Sequence, residues 1–286
     1  MTIEAYEDTT GATTTAGATG IGQFPGGTAV SRVRIYDWPT VDGLRRGSPH
    51  IHLVCTEGYV ITAGTGRLQT LGPDGAVEVP LRTGDVVWFT PGVIHRAVND
   101  GGLEVLVVMQ NAGLPEAGDA VMTMPPAVLA DPERYAAEIT LSTPDRMNSD
   151  DEHIARRRRD LAVEGFLVLR ERVEAEGPEA LADFYAAAQR LVEPRLASWH
   201  GRWNDGPRTA ADQTGRQLVG LRDRDVSHLG HGGVFATPPP RERFGMCGRL
   251  STYDPSPVGK RVDGRTTGGR TNDGAPSDGG RLATGG

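Results

Sequence analysis

Between residues 30 and 110 the chain breaks into short runs rich in β-branched, aromatic and aliphatic residues, and each run is closed by a turn residue. The runs fall at 33–38, 51–55, 59–63, 67–71, 76–81, 86–89, 94–98 and 103–110. Their separators include Gly64-Thr65-Gly66, Gly72-Pro73-Asp74-Gly75, Thr83-Gly84-Asp85 and Asn99-Asp100-Gly101-Gly102, compositions that close hairpins. About eight short strands at regular spacing predict a sandwich or barrel for this part of the chain.

The rest of the sequence reads differently. Residues 1–28 lack periodicity and predict a flexible lead-in, ahead of a β domain at 29–111. A Gly/Pro/Met connector at 112–126 then opens a connector-and-helix region at 112–252. Asp131-Pro132-Glu133 has an aspartate placed to cap a helix and a proline for its first turn. Residues 152–175 are a second candidate helix. Over 178–200, Leu181, Phe184, Tyr185, Ala188, Leu191, Val192, Leu196 and Trp199 recur at three and four, which gives one apolar face, with Pro194 expected to kink it. Residues 127 to about 225 therefore predict a helical appendage packed on the β domain or on a second subunit. From 253 to 286, glycine, threonine, arginine, aspartate and serine without periodicity predict disorder. No internal repeat is visible.

Composition excludes several classes. A net charge of −7 over 286 residues opposes the basic face that nucleic acid requires. No apolar stretch approaches twenty residues, so no membrane span is expected. The two cysteines, Cys55 and Cys247, cannot make a disulfide framework. With no basic-then-apolar leader among the first residues, a soluble, cytoplasmic protein is expected.

Chemistry concentrates in two segments. The first carries His50-Ile51-His52 and, five residues on, Glu57; the second runs from Gly84 through Pro91-Gly92 to His95. On a strand His50 and His52 share a face, and Glu57, of opposite parity, joins them only if the chain turns or bulges between. Three imidazoles and one carboxylate suit Fe, Mn, Co, Ni or Zn, whereas Ca or Mg would want mostly oxygen. Four protein ligands on an octahedral ion leave two adjacent positions for chemistry.

These segments resemble the paired signatures of the cupin family, G…H-x-H-x(3,4)-E-x(6)-G and G-x(5)-P-x-G-x(2)-H-x(3)-N. Gly64 lies seven residues after Glu57 and Asn99 four after His95, as the patterns require. Two departures concern loop shape: the opening glycine is Gly43 or Gly47, and Pro91 and Gly92 are adjacent. The resemblance covers about residues 30–111. It implies a mainly β fold, the double-stranded β-helix or jelly roll, followed here by a helical C-terminal region, with His50, His52, Glu57 and His95 as metal ligands.

Alternation from Glu57 turns Tyr59 and Ile61 toward the pocket, and Gln110 at the end of the last run would reach substrate. Trp88 and Phe89 read as packing. Cys55 has the wrong parity for the site and reads as a buried small hydrophobe. His153, His200, His228 and His231 show no metal-like pattern. Arg156 to Arg159 follow Asp150-Asp151-Glu152 and read as a solvated helix face. The expected function is a mononuclear metal-dependent oxygenase of a small organic substrate, with Fe(II) favoured. The alternatives are a cupin isomerase, decarboxylase or lyase and a non-catalytic small-molecule-binding cupin. The helical region would close the barrel mouth, supply a homodimer surface, or both.

Overall fold

Two strands of sixteen residues organise the barrel. In the computed structural model, residues 23–142, 147–238, 240–254 and the backbone of 260–261 are described. The lead-in expected before residue 23 and the disorder expected after 254, those two residues aside, lie outside the described residues. The strands are β1 (Ala29–Ile35), β2 (His50–His52), β3 (Glu57–Gly72), β4 (Gly75–Arg82), β5 (Val86–Phe89), β6 (Ile94–Met109), β7 (Ala120–Met122), β8 (Phe235–Ala236), β9 (Arg243–Phe244), β10 (Gly248–Tyr253) and β11 (Lys260–Arg261).

β3 and β6 pair antiparallel from Glu57↔Met109 to Leu71↔Ile94, and the register shifts between Ile61 and Gly66. Such bulges bend a strand. One half of β3 therefore also pairs with β5 and the other half with β4, and the sheet curls into a jelly roll. The sequence reading divides each long strand in two, with hairpins at Gly64-Thr65-Gly66 and Asn99-Asp100-Gly101-Gly102; the structure turns these separators into bends inside continuous strands. Gly64 has φ +73°, and a side chain there would collide with the Gly102 carbonyl. Asn99 holds the facing bend, since its Nδ2 donates to the Ile35 carbonyl at 2.9 Å and its Oδ1 accepts from the Leu103 amide at 3.0 Å.

The sheet runs β4-β3-β6-β1-β10-β9, with β2 joined to β6 and β7. Residues 243–252, which the sequence reading leaves in the helical region, and Tyr253, which it assigns to the disordered tail, return to this sheet: β10 pairs with β1 from Val30↔Tyr253 to Ile35↔Gly248. The C-terminal hairpin thus forms one wall of the barrel.

The helices are α1 (Pro126–Leu129), α2 (Pro132–Ile139), α3 (Ser149–Glu176), α4 (Ala182–Val192), α5 (Leu196–Trp203) and α6 (Thr209–Arg222). Asp131 caps α2 by accepting from the Arg134 amide. Pro194 sits in a short 3-10 turn that divides α4 from α5, as a missing amide requires. Phe166, Leu169, Leu181, Phe184, Ala188, Leu191 and Trp199 belong to the same buried cluster as the barrel residues Leu68, Leu71 and Leu81, so the helical region packs on the barrel. Leu196, expected on that face, is 43% exposed, because the break at Pro194 shifts the phase of the helix. The arginine run is corrected: Arg156 and Arg157 face solvent, but Arg158 and Arg159 are buried. At 3.6 residues per turn, four consecutive helical residues cannot share one face.

Candidate metal centre

β2 is three residues long and carries both histidines, which are buried. His50 lies directly opposite His95 in the β2–β6 pairing, and Glu57 opens β3 after a turn. That turn gives the change of face that the parity of Glu57 demands. Asp119, just before β7, anchors it: Oδ1 accepts from the amides of Leu53 and Val54 at 3.0 and 2.9 Å.

One ligand atom from each of His50, His52, Glu57 and His95 lies within 4.8 Å of the other three. Oε2 of Glu57 is 3.1 Å from Nε2 of His52 and 3.1 Å from Nε2 of His95. Donors at right angles on an ion with bonds of about 2.1 Å are about 3 Å apart, so these separations fit a shared transition ion. The ring orientations agree. Nδ1 of His50 faces the Ser48 carbonyl at 2.9 Å, Nδ1 of His95 the Val93 carbonyl at 3.1 Å, and Nδ1 of His52 Asp119 Oδ2 at 3.1 Å. Each acceptor calls for a proton on Nδ1, which leaves every Nε2 lone pair for the centre.

Two lone pairs then confront a carboxylate oxygen, an arrangement that only a cation can satisfy. The Glu57 Oε2 and His95 Nε2 atoms have no hydrogen-bond partner in the protein, which is what a ligand set shows when its partner is a metal. Without metal a proton serves. Burial opposes charge on His52, but the neighbouring Asp119 and Glu57 carboxylates outweigh that and raise its pKa to about 9. Burial likewise opposes charge on Glu57, yet His52 and then His95 hold it well below the usual carboxylate range. His50 is pushed well below the ordinary imidazole value by burial, then by His95 and His52.

A cavity of about 140 Å³ opens beside His50, His52 and Glu57. Its walls are mostly apolar, with Val33, Ile35, Val105, Val107 and Met109 among them. Tyr59 lines it as expected; burial raises its pKa well above the usual phenol value, so its hydroxyl stays neutral. Ile61 is buried but not on the cavity wall. Gln110 is not brought to the site: Met109 takes the inward position, so the next residue is turned out and exposed. Phe89 packs on His95 with ring centroids 4.0 Å apart, whereas Trp88 is 71% exposed because it occupies the outward parity of β5. Cys55 is buried away from the ligands and hydrogen-bonds Asp119. His153, His200, His228 and His231 join no metal-holding group among the described residues.

Sequence reasoning missed Asp119 and Cys247. The Cys247 sulfur is 3.9 Å from both His50 Nδ1 and the Tyr59 hydroxyl. Gly47 permits this approach, since a Cβ there would lie 2.4 Å from the Cys247 Cα. Neither residue carries a local signature, because each reaches the centre through distant strand pairing.

Residues 41–109 match the family described as the cupin domain. Solved structures give partial overlaps. An RmlC-like cupin protein from Desulfovibrio desulfuricans is 18% identical over 29% of this chain and 71% of its own, with TM-score 0.23. A predicted oxalate decarboxylase from Thermotoga maritima is 27% identical over 29% and 64%, with TM-score 0.22. The capsular polysaccharide assembling protein CapF from Staphylococcus aureus is 17% identical over 29% and 22%, with TM-score 0.22. This chain thus spans under a quarter of CapF and just under two thirds of the Thermotoga protein. No curated protein matches the chain.

Proposed function

Because the chain carries a cupin domain over residues 41–109, we propose that it is a mononuclear metal enzyme, an oxygenase of a small organic molecule with Fe(II) as its ion. The observation that carries this reading is the set of three imidazole nitrogens and one carboxylate oxygen within 4.8 Å of one another beside an apolar cavity. His50, His52, Glu57 and His95 would hold the ion. When bound, it would supply open coordination positions and one-electron chemistry, with the substrate as the source of electrons.

The chain's own residues favour oxidation over acid–base chemistry. An isomerase or lyase needs a group near neutral pKa to carry a proton. Beyond the candidate ligands the cavity offers Tyr59, held neutral by burial, Cys247, whose thiol burial pushes up, and Glu116, whose Oε2 is engaged by the Gly113 amide. Tyr59 is placed to donate a hydrogen bond to a substrate oxygen, and the apolar walls exclude water and orient the substrate's body.

Metal analysis of protein purified without a histidine tag, followed by oxygen uptake against a panel of small chelating acids and enols, tests this. Near-stoichiometric iron with ligand-dependent uptake is expected. A stoichiometric ion with no uptake under any ligand would remove the oxygenase reading; protein that takes up no transition metal would remove the centre itself.

A further inference from the structure

We propose that the substrate is a small carboxylate with an apolar body, and that Arg243 grips its carboxylate at the far end of the cavity from the metal ligands. This rests on the preceding reading only in taking the cavity as the substrate's place.

Cross-strand registers locate Arg243. Glu57 pairs with Met109 and Met109 with Ala29. Val33 pairs with Leu250 and Leu250 with Arg243. Arg243 therefore stands four residues along the strands from the Glu57 row, about 13 Å at 3.3 Å per residue. It belongs to the inward row with Leu250 and Val33, and all three line the cavity. Its NH2 donates to Thr252 Oγ1 at 2.9 Å. Thr252 lies two residues nearer the Glu57 row, so this bond turns the guanidinium back toward the metal ligands.

What makes Arg243 more than a solvated rim residue is its lack of a carboxylate. Its neighbour Glu242 points to the other face and pairs with Arg34 at 2.6 Å. Glu116 lines the same cavity, but its Oε2 accepts from the Gly113 amide at 2.8 Å. Among the described residues Arg243 forms no ion pair, although most of the chain's other strand arginines do. A planar fork with spare donors at the end of an apolar cavity matches a carboxylate. Size sets the body: an engineered cavity of about 150 Å³ holds benzene, so about 140 Å³ admits a body of about six non-hydrogen atoms, with the polar ends reaching the metal ligands and Arg243. The fitting ligand has donor oxygens at one end, an aliphatic or aromatic middle and a carboxylate at the other.

The test uses two probe pairs on the native chain and on Arg243→Gln and Arg243→Lys. On Co(II)-loaded protein, glutaric monohydroxamate is compared with its terminal amide through the visible spectrum of the ion. On metal-free protein, valerate is compared with valeramide by saturation-transfer NMR. The native chain should favour each carboxylate at least ~10-fold, as one charge-assisted pair gives. Arg243→Gln should erase the preference without changing Co(II) content or amide binding, and Arg243→Lys should keep part of it. If both hydroxamates bind the loaded protein equally, Arg243 is no anchor and the metal centre stands. If Co(II) is not taken up, the metal reading falls and the valerate pair decides: discrimination lost in Arg243→Gln upholds the anchor, and none overturns it.

Discussion

His95 and Arg96 are neighbours in β6, and the sheet sends them to opposite sides. Inside, His95 joins two histidines and a glutamate whose free atoms point at one another. Outside, Arg96 joins Arg46, Arg158 and Arg159 in a buried layer between barrel and α3. There the groups point at other things. Arg96 donates to Gln69 Oε1 at 2.7 Å and stacks over Phe166 at 4.0 Å. Arg46 pairs with Asp42, which also lies 3.6 Å from Arg96. Arg158 and Arg159 donate to the carbonyls of Ile139, Gly245, Trp38 and Pro39. Burial and then Arg96 pull the Arg46 pKa down to about 8, and it still carries charge at neutral pH. Burial alone does not separate a binding site from a structural staple. Nor does an unpartnered buried atom, since Arg46 and Arg96 also have nitrogens without a hydrogen bond; the direction in which the polar atoms face does: toward carbonyls, the Asp42 carboxylate, Gln69 and aromatic rings in one cluster, toward one another in the other.

The largest expected effect breaks the inner cluster alone. His95→Ala removes a proposed ligand on a strand held by pairing along both edges. Metal affinity should fall by more than the ~10 to 100-fold that loss of an outer-shell partner costs. Thermal melting of the metal-free variant should stay cooperative. Full metal occupancy in that variant, by elemental analysis, would mean the four residues are not a ligand set.

The converse change is Arg159→Ala. It leaves the carbonyls of Trp38 and Pro39 without their donor in a buried place, at a cost of about 2 to 4 kcal/mol. Urea unfolding should show that loss while metal content per folded molecule stays constant. Metal loss without destabilisation would erase the distinction between the two clusters.

The two clusters also differ in how much of them the sequence discloses. The four candidate ligands sit on two local segments whose spacing places the histidines: His-x-His fixes a common face, and the Pro-Gly turn before His95 sets it against His50, while Glu57 joins them through the turn that Asp119 holds. The arginine layer has no such spacing. Arg46, Arg96 and Arg159 come from a loop, a strand and a helix, and only the docking of α3 brings them together, so the run at 156–159 reads as solvated until that docking is known. The same limit explains β10. Arg249-Leu250-Ser251-Thr252-Tyr253 has strand character, but its partner lies more than two hundred residues earlier, and no periodicity reports a pairing of that length. The barrel's hairpins at 72–75 and 83–85, the Pro194 break and the Asp131 cap are legible because each depends on a few adjacent residues.

The smallest expected effect probes the join between the inner centre and its support. Asp119→Asn keeps an oxygen for the Leu53 and Val54 amides and presents an NH2 group to His52 Nδ1, where the native carboxylate accepts. Two donors then face each other, so His52 is driven to carry its proton on Nε2, the atom the metal needs. Affinity should drop ~10 to 100-fold with the fold intact. The pH dependence sharpens the test. In the native metal-free protein the His52 pKa is raised to about 9, so below that pH an incoming ion must displace this proton. Affinity therefore weakens by about tenfold for each unit the pH falls below 9, until the other ligands also bind protons. Loss of the Asp119 charge lowers the His52 pKa, and the slope between pH 7 and 9 should flatten in the variant even though its affinity is weaker throughout. Competition titration with a chromophoric chelator at several pH values measures both quantities. A variant with native affinity and native slope would show that Asp119 braces only the 53–54 turn and leaves the imidazole to orient itself.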